Sequence, residues 1–194
     1  ELRPTGGFIG SYADVTLSDG NIINIDVRDI YDPDGQLEHP ILAPRWLQSI
    51  SPRWGARDAN AFFDFPTSAE KVLGFFDTSK IYSERDIRFA GAIAINVAVI
   101  TDILKSIDPI ALPEYTTTIT SDNFLDIVQR EVESGEDKKQ GMPKRILQVL
   151  APELLKRVSH MQPDAQSALF KQLQRRLPSK DIMVYVRDPM LEAF

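Results

Sequence analysis

The chain has 194 residues, enough for one domain or at most two, and 43% hydrophobic with 26% charged residues is typical of a folded protein. This composition excludes a disordered tail, a collagen-like chain and a coiled coil, and no apolar run reaches the roughly 18 residues of a membrane span. A net charge of −6 argues against nucleic acid as a partner, and the lack of cysteine excludes disulfides, thiolate metal sites and cysteine nucleophiles.

The first thirty residues predict a β-hairpin. Aromatic and β-branched residues dominate the stretch 8–17, and residues 22–27 alternate as a returning strand. Between them lies Ser18-Asp19-Gly20-Asn21, in which Gly20 can take the positive φ that a tight turn requires. Because the chain begins at Glu1 without a leader, we expect it to be a piece of a longer protein.

A long connection with five prolines follows over residues 32–66. Loops of this length in compact domains are usually functional or disordered, and two embedded tryptophans, Trp46 and Trp54, favour packing. We expect both indoles to be largely buried and to support the segment Arg57–Asn60.

The middle of the chain predicts a helix, a strand and a second helix. Thr67 or Ser68 is the expected cap of a helix over 69–76. The stretch 90–99 is almost wholly apolar, which predicts a buried strand paired on both sides, and it continues into a helix over 97–107.

The last third of the chain predicts mainly helices. A strand at 116–120 precedes a helix over 123–133, capped by Ser121 or Asp122, and 134–141 is a polar, mobile loop. Pro152 predicts a kink or a division into two helices. The remaining elements are helices at 143–159 and 163–177 and a strand at 181–187. The fold class is therefore α/β, a single domain over 1–194 with a mixed central sheet flanked by helices.

Several kinds of catalytic site lack support. The two histidines, His39 and His160, lie far apart in unrelated contexts, which disfavours a histidine metal site or a Ser-His-Asp triad. Gly6-Gly7 precedes a strand rather than a helix, and no nucleotide-binding glycine motif is present.

Arginines beside carboxylates remain as candidates. In an antiparallel hairpin, Arg3 and the pair Arg28-Asp29 lie at one end of the sheet. An arginine fork suits phosphate, and a carboxylate can hold Mg²⁺ or act as a base. The alternative is that Arg28-Asp29 forms a solvated turn and Arg3 an ordinary surface ion pair.

Two further clusters suit binding. Arg57-Asp58-Ala59-Asn60 lies among aromatic residues and reads as a pocket wall, or else as a loop whose aromatics close the edge of the core. Lys144-Arg145, with Lys138-Lys139, forms a basic cluster near a helix start, which is either a binding surface or a solvated face.

Three stretches resemble the bacterial domain-of-unknown-function family 4012: residues 1–22, residues 57–69 and residues 180–194. Leu2-Arg3-Pro4-Thr5-Gly6-Gly7-Phe8 and Arg57-Asp58-Ala59-Asn60 followed by Asp64-Phe65-Pro66-Thr67-Ser68-Ala69 are the specific blocks. The resemblance implies an extracytoplasmic envelope protein, anchored in the membrane by a segment outside this chain, of no established activity.

The layout is also similar to the LytR–CpsA–Psr envelope phosphotransferases, which transfer glycopolymers from a polyprenyl-pyrophosphate lipid onto peptidoglycan. Arg3 and Arg28-Asp29 match arginine-bearing motifs of that family, residues 89–110 match its buried strand and helix, and Lys144-Arg145 stand near its later basic residues. The chain departs from the pattern at Pro4-Thr5, where the family has the aspartate that holds Mg²⁺.

Together the residues and the resemblances predict a cell-envelope domain that binds a phosphorylated lipid-linked or polyanionic glycan, with glycopolymer phosphotransfer as its candidate activity. Mg²⁺ is the candidate cofactor. The alternative is a non-catalytic structural or interaction module of the cell surface. The candidate residues are Asp29 and Asp58 for catalysis and Arg3, Arg28, Arg57, Asn60, Lys144 and Arg145 for substrate binding.

Overall fold

A computed structural model describes residues 2–3, 5–142 and 144–192. The protein is mixed α/β, and its described strands pair two by two in small sheets. The pairs are β1 (Leu2–Arg3) with β2 (Gly6–Gly7), β3 (Ser11–Ser18) with β4 (Asn21–Asp29), β5 (Ile41–Leu42) with β6 (Arg53–Trp54), β7 (Gly91–Ile95) with β10 (Ile182–Val186), and β8 (Ile110–Leu112) with β9 (Thr117–Ile119).

The helices range from a single turn to the fifteen residues of α7. They are α1 (Tyr31–Asp34), α2 (Phe65–Asp77), α3 (Lys80–Ser83), α4 (Val97–Lys105), α5 (Phe124–Ser134), α6 (Glu136–Lys139), α7 (Arg145–Ser159), α8 (Pro163–Gln174) and α9 (Pro189–Glu192), with 3₁₀ turns at Ala56–Asp58 and Pro113–Tyr115. Within the ranges just given, no helix has both the length and the apolar character needed to cross a bilayer.

The predicted hairpin is confirmed as β3 and β4. Asp19 and Gly20 form its turn with φ values of 50° and 78°, which is the left-handed geometry that matches the twist of a two-residue hairpin. Ile30 closes the base of the hairpin by donating its N–H to the Gly10 carbonyl at 3.4 Å.

The chain divides into two compact units. The first unit comprises residues 1–12, 29–94 and 183–194, and the second comprises 13–28 and 95–182. An aromatic core holds the first unit together. Phe76 lies 4.7 Å from Tyr12 and 5.6 Å from Tyr82 between ring centroids, and the two tyrosine hydroxyls are hydrogen-bonded at 2.7 Å. This core packs α2 against the loops that carry the candidate residues.

Helix α2 begins earlier than the sequence predicts. Asp64, rather than Thr67 or Ser68, is its N-cap, and the Asp64 carboxylate accepts a 2.8 Å hydrogen bond from the Thr67 N–H. The cause is Pro66 in the first turn, where its fixed φ suits a helix and its missing N–H costs nothing.

The stretch predicted as a buried central strand forms β7, but the mixed central sheet predicted around it is wrong for the described residues, whose sheets are all two-stranded. In the described residues β7 pairs only with β10, and the Ile93 side chain is 68% exposed. An apolar run indicates a strand without specifying its neighbours, and a two-stranded sheet leaves a face uncovered. The helix after it is confirmed as α4, capped by the Asn96 side chain, which accepts from the Val99 N–H at 3.3 Å.

The second unit is built around α7. Ile146, Leu150 and Leu154 are buried on one face of this helix, as the helical spacing predicts, and they pack with Ile110 and Ile119 of the small β8–β9 sheet. Pro152 lies inside one continuous helix, so of the two predicted alternatives the division into two helices is wrong, and the kink stays a prediction. The predicted helix over 123–133 is confirmed as α5, and the predicted polar loop 134–141 contains the single helical turn α6.

Candidate functional site

The two specific sequence blocks meet in the first unit. The Thr5 hydroxyl donates to the Asn60 carbonyl at 2.9 Å and lies 3.0 Å from the Ser68 hydroxyl. Ser68 in turn accepts from the Phe62 N–H at 3.3 Å. Thr5, Asn60 and Ser68 are all buried, so these bonds join the N-terminal segment, the loop after the 3₁₀ turn and the first turn of α2.

Asp34 organises the start of the second block. Its side chain is 3% exposed and accepts hydrogen bonds from the Ala56 N–H at 2.6 Å and from Arg57 Nη1 at 2.9 Å. These contacts cap the 3₁₀ turn that Arg57 and Asp58 belong to. Gly55 makes room for the carboxylate, because a Cβ on Gly55 would lie 2.4 Å from Asp34 Oδ2.

The Arg57 guanidinium is held on several sides. Besides Asp34, its Nη2 donates to the Ser51 hydroxyl at 3.2 Å and to the Arg53 carbonyl at 3.3 Å, and its Nε lies 3.4 Å from Asp58 Oδ2. The Tyr31 ring lies 5.6 Å from the guanidinium carbon, within cation–π range. The Arg57 side chain is 21% exposed, and its contacts hold the loop in its conformation.

Burial raises the pKa of Asp34, and the hydrogen bond from Ala56 and the charge of Arg57 lower it by less. Desolvation of the carboxylate therefore outweighs its attraction to Arg57. Such pairs fix geometry more than they add net stability, while removal of one partner leaves the other unpaired and is costly.

Asp58 and Asn60 are both buried. The Asp58 carbonyl accepts a long 3.5 Å hydrogen bond from Trp54 Nε1, and its carboxylate faces Arg57. Asp58 as a catalytic group and Asn60 as a binding group stay predictions, and their closest described contacts are internal to the unit.

The two tryptophans differ. Trp54 is half-buried, lies edge-on to Phe75 at 5.4 Å and has the Lys71 ammonium 5.0 Å from its ring, so it supports the segment as expected. Trp46 is 56% exposed, and the prediction that it is buried is wrong. Its neighbour Leu47 supplies the buried contact of this loop instead.

Arg28 belongs to the second unit and pairs with Asp26, with Nε and Nη2 at 2.7 Å and 2.6 Å from the same carboxylate oxygen. Burial raises the pKa of Asp14, and the charge of Arg28 lowers it by less. Asp29, in the first unit, accepts from the Tyr31 N–H at 2.9 Å and so shapes the entry to α1.

Arg3 lies in β1, which pairs with β2 and, in the described residues, with no strand of the β3–β4 hairpin. Its side chain lies outside the described part of the chain. Arg3 and Arg57 are in the first unit and Arg28 is in the second, and the convergence of the three on one cleft stays a prediction.

The basic cluster at the start of α7 is partly paired. Arg145 lies 3.4 Å from both Glu114 and Asp137 carboxylate oxygens. Tyr115 donates its hydroxyl to Asp137, and burial together with this contact raises the pKa of Tyr115. Lys144 is half-buried at the N-cap of α7.

Mg²⁺ as a cofactor held by Asp29 and Asp58 stays a prediction. Over residues 2–3, 5–142 and 144–192 no group of three or more His, Asp or Glu side chains is arranged to hold a metal. Asp29 is engaged by a backbone N–H and Asp58 by the Arg57 cation, whereas Mg²⁺ needs oxygen ligands without a competing cation.

Sequence reasoning missed a cleft of about 630 Å³ in the second unit. Its basic lining residues stand singly or in pairs along two helices, so no linear motif marks them. The helical spacing of α7 indicated its apolar face but gave no sign that its last turn faces the end of α4. The lining includes Lys105, Lys156, Arg157 and His160.

A family model described as a protein of unknown function (DUF4012) matches residues 1–132, which is more than half of the chain. Comparisons with curated proteins and with solved structures return no match. The matched range contains the contacts of Thr5, Asp34 and Arg57, and α7 and α8 lie beyond it.

Proposed function

The chain belongs to the DUF4012 family, and on that premise we propose that it is a non-catalytic binding domain of the bacterial cell envelope. Its ligand is a phosphorylated lipid-linked or polyanionic glycan. The protein works outside the cytoplasm, anchored in the membrane by a segment outside this chain, as the family resemblance implies.

The non-catalytic part rests on Arg57, which engages the catalytic candidate Asp58 through its guanidinium. Its guanidinium contacts Asp34, Asp58, Ser51 and the Arg53 carbonyl, all within its own unit. A catalytic group must reach the reacting atoms of a substrate. The specific block Arg57–Asn60 instead supports its own loop.

Arg28 is the better phosphate ligand of the two arginines. Its side chain is 25% exposed, and its partner Asp26 is 40% exposed. Solvent-exposed ion pairs are worth only about 0–1 kcal/mol, so a phosphate replaces the partly exposed Asp26 at a lower cost than it would replace a buried partner. The buried carboxylate that holds Arg57 makes the same exchange far more expensive.

We also propose a fold related to the LytR–CpsA–Psr proteins. The direct passage from β7 into α4, with Asn96 as the cap, supports it. The position of the family's metal aspartate is occupied by Pro4-Thr5. Thr5 uses its hydroxyl inside the unit, which favours binding without metal-dependent transfer.

A second candidate function is a structural or interaction module with no phosphorylated ligand. It is favoured by the same internal pairing, because Arg57 with Asp34 and Arg145 with Asp137 behave as ordinary ion pairs. The two candidates differ in whether an exposed arginine contributes to ligand binding.

Calorimetric titration with a soluble short-chain polyprenyl diphosphate separates them. One charge-assisted hydrogen bond to phosphate contributes about 1.5–3 kcal/mol, so Arg28→Ala is expected to weaken binding about tenfold to a hundredfold. Arg175→Ala, at an exposed arginine of the same unit, is the control and is expected to bind as the wild type does.

Three other results would overturn parts of the proposal. No binding by the wild type would remove the phosphorylated ligand and favour the structural module. Equal binding by the wild type and Arg28→Ala would remove Arg28 from the site. Turnover that requires Mg²⁺ would make the protein an enzyme.

A further inference from the structure

The C-terminal ends of α4 and α7 meet the start of α8 around the open cleft of about 630 Å³ in the second unit. We propose that this cleft is a binding site for a phosphorylated sugar. The proposal deepens the function above, since it rests on a phosphorylated glycan as ligand and gives the sugar-phosphate part a place of its own.

Three cations from two helices line the cleft. Lys105 is the last residue of α4, and Lys156 and Arg157 lie in the last turn of α7. In the described part of the chain, the Lys105 and Arg157 side chains form no ion pair, and Lys156 is 3.8 Å from Glu153. Basic residues near helix C-termini also offset the helix dipole, but that effect does not require cations of separate helices to line one cleft.

His160 adds a polar ring to the lining, and its contacts indicate which ring nitrogen carries the hydrogen. Its Nδ1 lies 2.7 Å from the Lys156 carbonyl, and a carbonyl oxygen only accepts. With the hydrogen on Nδ1 in this contact, Nε2 is the ring atom that can accept from a ligand hydroxyl. This suits a sugar better than a bare anion.

The acidic residues of the lining also favour a sugar as the ligand. Asp108 and Glu153 would repel a bare polyphosphate, whereas their carboxylates accept hydrogen bonds from sugar hydroxyls. Ile107 and Met161 offer apolar surface for the C–H face of a sugar ring. Cations for a phosphate together with carboxylates for hydroxyls therefore select a sugar phosphate over inorganic phosphates and over a lipid phosphate.

The test titrates the chain with a hexose 1-phosphate, with inorganic pyrophosphate and with the short-chain polyprenyl diphosphate. The hexose phosphate is expected to bind most tightly of the three. Lys156→Ala and Arg157→Ala should each weaken its binding about tenfold or more, because each removes one charged donor. Lys171→Ala, an exposed lysine of α8 outside the cleft lining, is the matched control and should change nothing.

Glu153→Gln tests the ligand class. Loss of this carboxylate should leave pyrophosphate binding equal or tighter and should reduce the advantage of the hexose phosphate. No binding of hexose phosphate, or equal binding by the wild type and both charge variants, would overturn the cleft as a site. Pyrophosphate binding as tight as hexose phosphate binding would overturn the sugar specificity.

The outcomes separate the two proposals. Hexose-phosphate binding that depends on Lys156 and Arg157, with no binding of the polyprenyl compound, supports the cleft and removes the lipid-linked ligand. Polyprenyl diphosphate binding that depends on Arg28, with no binding of the hexose phosphate, supports the proposed function and overturns the cleft. Circular dichroism and thermal unfolding confirm that each exposed-residue variant is folded.

Discussion

Asp34 and Arg57 contact each other twice, through Arg57 Nη1 at 2.9 Å and through the Arg57 backbone N–H at 3.4 Å, although 23 residues separate them. This relationship fixes the loop that contains the specific block Arg57–Asn60. Because the Asp34 side chain is buried, the pair acts as an internal support, and the loop depends on it for its conformation.

Replacement of Asp34 by alanine is expected to lower the free energy of unfolding by about 3 kcal/mol, since Arg57 and the Ala56 N–H lose their acceptor. Asp34→Asn keeps an acceptor and removes a charge that burial disfavours, so it should cost less than half as much. Urea unfolding measures both, with exposed Asp32→Asn of α1 as control. An equal loss of unfolding free energy in Asp34→Ala and Asp34→Asn would contradict the role of Asp34 as a buried hydrogen-bond acceptor.

Gly55→Ala is expected to destabilise the protein by about 1–3 kcal/mol, because the new methyl group would overlap the Asp34 carboxylate. The matched control is Gly74→Ala inside α2, where a Cβ meets nothing within 4 Å. Alanine is the better helix former, so this change should stabilise the protein by about 0.5–1 kcal/mol. Thermal unfolding shifts of the same sign would refute the close approach at Gly55.

Thr5→Val tests the link between the two sequence blocks. Valine keeps the shape but loses the hydroxyl that contacts Asn60 and Ser68, and an unsatisfied buried acceptor costs about 1–3 kcal/mol. Thr16→Val on exposed β3 is the control and should be neutral or slightly stabilising. Unchanged stability of Thr5→Val in urea would mean that the hydrogen bonds of the Thr5 hydroxyl do not contribute to the free energy of unfolding.

Glu70 is expected to make the stability of the protein depend on pH in the acidic range. The Arg187 hydrogen bond, followed by that from Tyr185, lowers the pKa of Glu70 below its ordinary 4.5. The folded state therefore binds a proton at Glu70 less readily than the unfolded state does. The stabilisation by ionised Glu70 is present above the ordinary pKa and is lost as the pH falls through the pKa of the folded state.

The measurement is the urea midpoint as a function of pH. Glu70→Gln should flatten the decline of the midpoint below about pH 4.5 relative to the wild type. Glu84→Gln removes an exposed carboxylate that has no ion pair in the described residues, and it should leave the decline unchanged. An unaltered slope in Glu70→Gln would contradict the assignment.

Local patterns in the sequence predicted much of the secondary structure. The turn at Asp19-Gly20 needs left-handed backbone, which this residue pair tolerates, and the spacing of Ile146, Leu150 and Leu154 places them on one helical face. Both signals depend only on neighbours along the chain. That is why the hairpin and α7 were predictable before any tertiary contact was known.

Long-range pairing was not predictable in the same way. The apolar run at Gly91–Ile95 carries no information on how many strands flank it, and Trp46 is hydrophobic whether or not a partner covers it. The role of Asp34 was missed because its partners lie 22 and 23 residues further along the chain. The cleft was missed because its cations come from α4 and α7, which only folding brings together.

We propose that the protein binds a phosphorylated envelope glycan without transferring it. The most direct measurement incubates the chain with a polyprenyl-diphosphate-linked saccharide, peptidoglycan and Mg²⁺, and follows both the bound ligand and the linked product. We expect a stable complex with the saccharide and no new phosphodiester on peptidoglycan. Accumulation of the linked product, abolished by Asp58→Asn, would contradict it.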